Sequence, residues 1–427
     1  MLRNPGFAGV PLFKGCVIKK SSEIHWNLKF QGFTIIIKKR NLCCYVIGSG
    51  NIKKMIHTYS PTIRRKEMEA VLTCMVDEKI GPGDMNTKLI QTAKELMGFD
   101  GAVALRSPAI AFEYIFKALD FPKDGAVIFS ALAPAYQVLT VEKLGYKVLF
   151  ADVSEDTGLV TLESVQDCIK EGGRLLVFTE SMGILPDIKA FLELGIPVVE
   201  DISQSAFASY PLEENEETKK AEAQKKSQDA AVAQTQTEEE EVLGKKAGLY
   251  GVYTILGMEE HDIVTAGGGA LLIAPCRKEW TVLKHIAEEA PFTDSMTDMN
   301  AALAYVELKE FARNEKTRRE LFALYSRAVM SGRHKTFTRG ENGLSTIYSF
   351  PLVLNSGFKD AKAYAQKKNI EIRQAYENSI IALRQEEIAK KCICANSLLL
   401  RCAAFPLYPR LGQKDAAQIV KVLSTLL

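Results

Sequence analysis

An aspartate closes the apolar run Ile196-Pro197-Val198-Val199-Glu200-Asp201, and Ile202, Ser203 and Gln204 follow it. An acid at the end of a buried strand that faces a crevice can hold a protonated heterocyclic nitrogen. The same acid can serve as a turn or helix N-cap residue, and spacing alone leaves both roles open. Other chemistry is thinly supplied. The nine cysteines form no paired CxxC, and Cys43-Cys44 and Cys392-x-Cys394 are poor zinc patterns. They read as reduced core thiols, which predicts a cytoplasmic protein. Five scattered histidines leave little room for a histidine-rich site, so no metal is expected.

Strand–helix alternation has to position an acid of this kind, and the sequence supplies it. Over 66–78 and 86–97 apolar residues recur with helical period, and Gly81-Pro82-Gly83 marks the turn between the two. Short β-prone runs follow at 102–105, 127–129, 147–153, 175–179, 197–201, 250–255 and 269–273. Helical stretches at 109–119, 135–144, 162–170 and 188–194 separate most of them. Strands that are continuously apolar indicate a buried, mostly parallel sheet, so seven strands predict one large α/β domain over 55–275. Helices at 296–308 and 309–330, a strand at 346–354, a helix at 359–368, a strand at 370–373 and a closing helix at 413–426 predict a smaller C-terminal α+β domain over 276–427.

The 427 residues are 47% hydrophobic, and no apolar run reaches the roughly 18 residues that span a bilayer. The net charge of +2 hides an asymmetry. Residues 1–54 carry ten Lys or Arg and one acid, Glu23, so the remainder is net acidic. That argues against nucleic-acid binding by the main body. The basic leader lacks the marks of a transit or signal peptide. It reads either as sequence upstream of a natural start at Met55 or as a β-rich extension around residues 33–37. A second break, residues 211–243, is rich in acids, Ala and Gln, and buries too little to offset its ordering entropy. It reads as a solvated insertion.

Several segments, in order, resemble the DegT/DnrJ/EryC1/StrS family of nucleotide-sugar aminotransferases, which are fold type I pyridoxal-phosphate enzymes. They include Thr58-Tyr59-Ser60-Pro61-Thr62-Ile63, Val127-Ile128-Phe129-Ser130-Ala131, and the stretch from Gly195 through Asp201 to Ser205. Support continues with Met296-Thr297-Asp298-Met299-Asn300 and Phe405-Pro406-Leu407-Tyr408-Pro409. The resemblance covers about 56–427 apart from the insertion. It implies a seven-stranded cofactor domain, a homodimer, pyridoxal or pyridoxamine phosphate as cofactor, and nucleotide-linked keto sugars as substrates. It implies that Asp201 pairs with the pyridine nitrogen, Gln204 lies beside the ring, Thr254 and Ser107 stand at the phosphate, and Arg373 contacts substrate.

The sequence also departs from the family's pattern. The Schiff-base lysine belongs at Glu259 when counted forward from Thr254, or at His261 when counted back from Gly268-Gly269. No lysine occurs from Ala247 to Arg277, and a transaminase needs a primary amine there. The phosphate cradle reads Ser107-Pro108-Ala109 where the family has Ser-Gly-Thr. Proline removes an N–H and alanine a hydroxyl, and each lost charge-assisted hydrogen bond is worth roughly 1.5–3 kcal/mol. Pro134 stands at the ring-stacking position, with Tyr136 nearby. The partner-facing Asn-x-Arg-Met has become Thr293-Asp294-Ser295-Met296. Three functions stay open: a noncatalytic homologue that binds a nucleotide sugar or pairs with a catalytic paralogue, a nucleotide-sugar dehydratase with His261 as base, and a transaminase with a relocated lysine.

Overall fold

The structure, a computed structural model, describes residues 15–20, 23–30, 33–38, 44–48, 55–211, 243–329, 333–340 and 344–426. The chain forms two units, Met1–Met55 and Ile56–Leu427. In the first, β1 (Gly15–Lys20), β2 (Glu23–Phe30), β3 (Phe33–Lys38) and β4 (Cys44–Gly48) pair antiparallel in sequential order. The β-prone residues 33–37 lie in β3.

The second unit opens with α1 (Arg65–Val76) and α2 (Asp84–Met97). It continues through β5 (Gly101–Leu105), α3 (Pro108–Ala118), β6 (Ala126–Ser130), α4 (Ala135–Lys143), β7 (Lys147–Ala151), α5 (Leu162–Lys170), β8 (Gly173–Thr179), α6 (Ile188–Leu192) and β9 (Val198–Asp201). Next come β10 (Ser209–Pro211) and β11 (Leu243–Lys246), a short antiparallel pair that bounds residues 212–242, and then β12 (Tyr253–Gly257) and β13 (Ala270–Ala274). The expected insertion falls on those 212–242 residues and lies outside the described ones. Seven strands form one sheet in the order β5-β13-β12-β9-β8-β6-β7. β12, β9, β8, β6 and β7 run parallel, and β13 is antiparallel to both its neighbours.

This is the predicted mixed α/β architecture, and the chemistry of the strands explains it. β6, β12 and β13 are buried along their whole length because helices cover both faces. Ser107 caps α3 through Ala109 N, and Pro108 fills the first helical position, where no N–H is needed. The C-terminal part builds a second core around the sheet β14 (Phe350–Val353), β16 (Cys402–Phe405) and β15 (Arg373–Gln374), in the spatial order β14-β16-β15. The helices Phe311–Val329 and Gln413–Thr425 pack on each other beside it.

Where boundaries differ from expectation, a competing hydrogen bond is responsible. β12 starts at Tyr253 rather than residue 250, because the N–H groups of Tyr250 and Gly251 donate to the Glu200 carboxylate. β14 is shorter than 346–354, because Ile347 N donates to Glu315 and Thr346 O accepts from Arg339. Residue 370 pairs with Ile56 instead of extending β15. The helices Arg277–Glu288 and Ile393–Arg401 were not foreseen in the sequence.

The turn Ser181–Gly183, just past β8, carries two consecutive left-handed residues, Met182 (φ 58°) and Gly183 (φ 70°). A Cβ on Gly183 would lie 2.0 Å from the carbonyl oxygen of Thr346. Gly183→Ala is therefore expected to cost about 2 kcal/mol or more, lowering Tm by roughly 2–4 °C. A thermal melt indistinguishable from that of the parent chain contradicts this.

Candidate functional site

In a parallel sheet, residues in register share a face. Thr179, Asp201 and Ile255 stand in register on β8, β9 and β12, and so do Phe178, Glu200 and Thr254. The two rows alternate, so Asp201 and Thr254 point to opposite sides of the sheet. The carboxyl ends of β6, β8, β9 and β12 bring α4, the 181–183 turn, residues 201–204 and residues 257–262 together, as open α/β sheets do at their ligand crevice.

Asp201 is 2% exposed, and both of its oxygens are taken by protein. Oδ1 accepts from Ser203 N at 3.0 Å and from Ser203 Oγ at 2.5 Å. Oδ2 accepts from Nε2 of Gln137, a fully buried residue of α4. Gln137 is fixed from its other end by Thr179 Oγ1, which donates to its Oε1 at 3.2 Å. Burial pushes the Asp201 carboxyl up, against the bonds from Ser203 and Gln137. The hydroxyl of Tyr136 is held well above the phenol range by burial and then by Asp201 and Asp262. Asp262, whose Oδ2 accepts from Glu259 N at 2.8 Å, is raised by burial to about 7. Gly257 makes this crowding feasible, because a Cβ there would lie 2.7 Å from both Ser203 Oγ and Asp262 Oδ2.

A cleft of about 80 Å³ lies alongside, and its walls include Tyr59, Pro134, Gln204, His261, Tyr348 and Glu377. His261 stacks on Tyr59 with ring centroids 4.7 Å apart, and its Nδ1 is buried without a hydrogen-bond partner. Gln204 Oε1 accepts from Met182 N at 2.8 Å, which ties the 181–183 turn to the strand end of Asp201.

Of the residues singled out in the sequence, Pro134, Gln204 and His261 line this cleft together, whereas Asp201, Thr254, Ser107 and Arg373 do not. Asp201 lies behind its own partners. Thr254 is fully buried on the other face of the sheet, where its hydroxyl donates to Gly248 O at 2.6 Å. Ser107 Oγ accepts from Ala109 N as a helix cap. Arg373 is bound to Glu371 at 3.2 Å and Glu377 at 3.0 Å. Asp294 accepts from Tyr114 at 3.1 Å. Lys246 donates to Ser209, and Lys245 sits over the Tyr250 ring.

Sequence reasoning missed Gln137, Ser203 and Tyr59. Gln137 left a signal, as an amide just before Val138 and Val141, the apolar positions that α4 buries. Ser203, two residues after an aspartate, is an Asx-turn partner. Tyr59 stood in the first segment of the resemblance, but nothing in that segment marked it for the cleft, which it reaches from a distant part of the sequence.

A covalently held pyridoxal phosphate does not fit these residues. Among the described residues, no lysine lines the cleft. The carboxylate that would meet a ring nitrogen is committed on both oxygens. The cleft volume compares with roughly 300–1,000 Å³ for a small-molecule pocket. What the arrangement supplies is an imidazole, an amide and a carboxylate, those of His261, Gln204 and Glu377, in the wall of one cleft. Among the described residues, no group of three or more His, Cys, Asp or Glu is placed to hold a metal, and no helix is long and apolar enough to cross a membrane.

Solved structures share this fold. The sugar aminotransferase CalS13 from Micromonospora echinospora superposes with a TM-score of 0.71 at 13% identity, over 87% of this chain and 100% of that one. Spr1654 of Streptococcus pneumoniae, described as a sugar aminotransferase, gives 0.72 at 15% identity in its PLP form, over 88% and 98% of the two chains. Its PMP form gives 0.71 at 14% over the same shares. Helicobacter pylori PseC, an aminotransferase of pseudoaminic acid biosynthesis, gives 0.71 at 14% identity, over 87% and 98%. The model of the DegT/DnrJ/EryC1/StrS aminotransferase family matches residues 61–219 and 277–424, and its gap spans β12, His261 and β13. With more than half of its length matched, the chain belongs to the DegT/DnrJ/EryC1/StrS aminotransferase family.

Proposed function

We propose that this chain is a family member that does not transaminate through a lysine, keeps the fold, and acts as a partner in nucleotide-sugar metabolism, pairing with itself or with a lysine-bearing family member. One observation carries this reading: the Asp201 carboxylate accepts hydrogen bonds from Gln137 and Ser203, in a site whose cleft is lined by no lysine among the described residues. The same observation weighs against a relocated lysine. Cys74, Cys168, Cys276, Cys392, Cys394 and Cys402 are free thiols, consistent with work in the cytoplasm.

Pairing is supported by α1. Met68, Leu72, Met75 and Val76 are each more than half exposed on one face of that helix, and a stripe of apolar residues facing water marks a contact surface. The partner on this face is a second copy of the chain or a related chain of the same fold.

A second reading rests on a separate observation. His261 is one of the two positions, with Glu259, at which the family's lysine would fall. It is stacked on Tyr59, with Nδ1 unpartnered, in the cleft that also has Gln204 in its wall. An imidazole so held can serve as the base of a nucleotide-sugar dehydratase working with pyridoxamine phosphate.

Incubation with pyridoxal phosphate, borohydride reduction and peptide mapping are expected to find no lysine of residues 56–427 labelled stoichiometrically. A one-to-one pyridoxyl adduct on one lysine would end both readings. Analytical ultracentrifugation is expected to show a dimer for the parent chain and a monomer for Leu72→Glu with Val76→Glu. A monomeric parent contradicts pairing with itself, and a dimeric double variant contradicts the α1 face. With pyridoxamine phosphate and a nucleotide-linked keto sugar, no turnover is expected. Turnover that drops at least about a hundredfold in His261→Asn establishes the dehydratase instead.

A further inference from the structure

Tyr59 and His261 reach the cleft from distant parts of the chain and stack there, with ring centroids 4.7 Å apart and planes 20° from parallel. His261 stands on the 257–262 loop after β12 of the large sheet. Tyr59 belongs to no helix or strand, so the ladder of a regular element does not hold it in place.

The hold comes from the residues that lead into β15. Ile56 N donates to Asn369 O at 2.9 Å, and Glu371 N donates to Ile56 O at 2.8 Å. Glu371 then binds the next two residues. Its Oε2 lies 2.9 Å from Nδ1 of His57 and accepts from Thr58 N at 3.3 Å, and its carbonyl oxygen accepts from Thr58 Oγ1 at 3.0 Å. Thr58 is 2% exposed, and at that depth water does not replace a lost partner. The three residues before Tyr59 are thus each tied to residues 369–371.

The other oxygen of Glu371 reaches the cleft wall by a second route. Oε1 accepts from Arg373 Nε at 3.2 Å, and Arg373 Nη1 donates to Glu377 Oε1 at 3.0 Å. Glu377 lines the same cleft as Tyr59 and His261. Both routes meet at Tyr59, whose phenol is pushed up to about 12 by burial and then by Glu377, with Arg373 opposing. Against burial, the bonds from His57, Arg373 and Thr58 N hold the Glu371 carboxyl below the usual carboxylate range, so it stays an ionised acceptor.

We propose that Glu371 is a positioning residue for His261, acting through Thr58 and the ring of Tyr59. Glu371 itself is not in the cleft wall. The C-terminal sheet thereby sets the plane of an imidazole that the large sheet carries. A base works only when its ring nitrogen is aimed at the proton it takes, and a misplacement of about 1 Å can cost roughly a hundredfold in rate. That consequence rests on the reading of His261 as a base, whereas the geometry of the stack does not.

The test is histidine ring NMR on the full chain, with the His261 signals assigned by their loss in His261→Asn. Tyr59→Leu removes the stack and shows where those signals fall without it, and signals unmoved by Tyr59→Leu overturn the proposal. Glu371→Ala is expected to carry them most of the way to the Tyr59→Leu position. Glu371→Gln, which keeps an acceptor oxygen, is expected to return them most of the way to the parent position. In the Tyr59→Leu background, Glu371→Ala is expected to move them no further. Signals that stay at the parent position in Glu371→Ala, that are not restored in Glu371→Gln, or that move as far when Tyr59 is already replaced, overturn the proposal. Should Glu371→Ala disturb the fold, seen as movement of the His285 and His334 signals too, Thr58→Val is expected to shift the His261 signals toward the Tyr59→Leu position, and unmoved signals overturn the proposal. No arm measures turnover, so the proposal can fail while the reading of His261 as a base stands, and the reverse.

Discussion

The commitment of the Asp201 carboxylate organises this molecule. A buried carboxylate must be fully hydrogen-bonded or become neutral. Here Ser203 satisfies one oxygen and Gln137 the other, with Thr179 steadying the amide. That closed network ties together α4 and the ends of β8 and β9, three elements that must meet at any ligand crevice of this sheet. Both oxygens that a protonated ring nitrogen could meet already accept from protein. The same bonds that stabilise the sheet end leave Asp201 out of the cleft wall, which the imidazole of His261 lines.

The opposite face of the sheet is stabilised by a parallel device. Glu200 is fully buried and accepts from the N–H groups of Gly248, Tyr250 and Gly251. It thereby shapes the loop that leads into β12 and fixes the row on which Thr254 lies. Behind it, burial and then Glu200 hold the carboxyl of Glu180 well above the carboxylate range, and Tyr210 lies 3.5 Å from Glu180. Adjacent acids, Glu200 and Asp201, are thus sent to opposite faces by the two-residue period of the strand. One holds a loop, and the other closes the crevice.

Much of this was legible in the sequence. All seven strands of the large sheet were visible as short, continuously apolar runs, because a sheet covered on both faces permits few polar residues. The absence of lysine from Ala247 to Arg277 was likewise plain, and among the described residues none lines the cleft from elsewhere. The sequence could not reveal which hydroxyls and carboxylates were already spoken for. Thr254 kept a hydroxyl at a suggestive position, but strand alternation turned it away. Arg373 kept its charge and spent it on Glu371 and Glu377, one of them four residues distant. Gln137 and Asp201 are 64 positions apart, and only the packing of α4 against the ends of β8 and β9 makes them partners. Tyr59, His261 and Glu371 lie on three separate segments that meet only in the folded chain.

The central claim concerns one carboxylate, and a crystal structure grown with saturating pyridoxamine phosphate examines it most directly. The account predicts the Gln137 amide and the Ser203 hydroxyl on Asp201, with no ring bound in front of it. A pyridine ring whose nitrogen sits on Asp201 Oδ2, with Gln137 swung away, would contradict it.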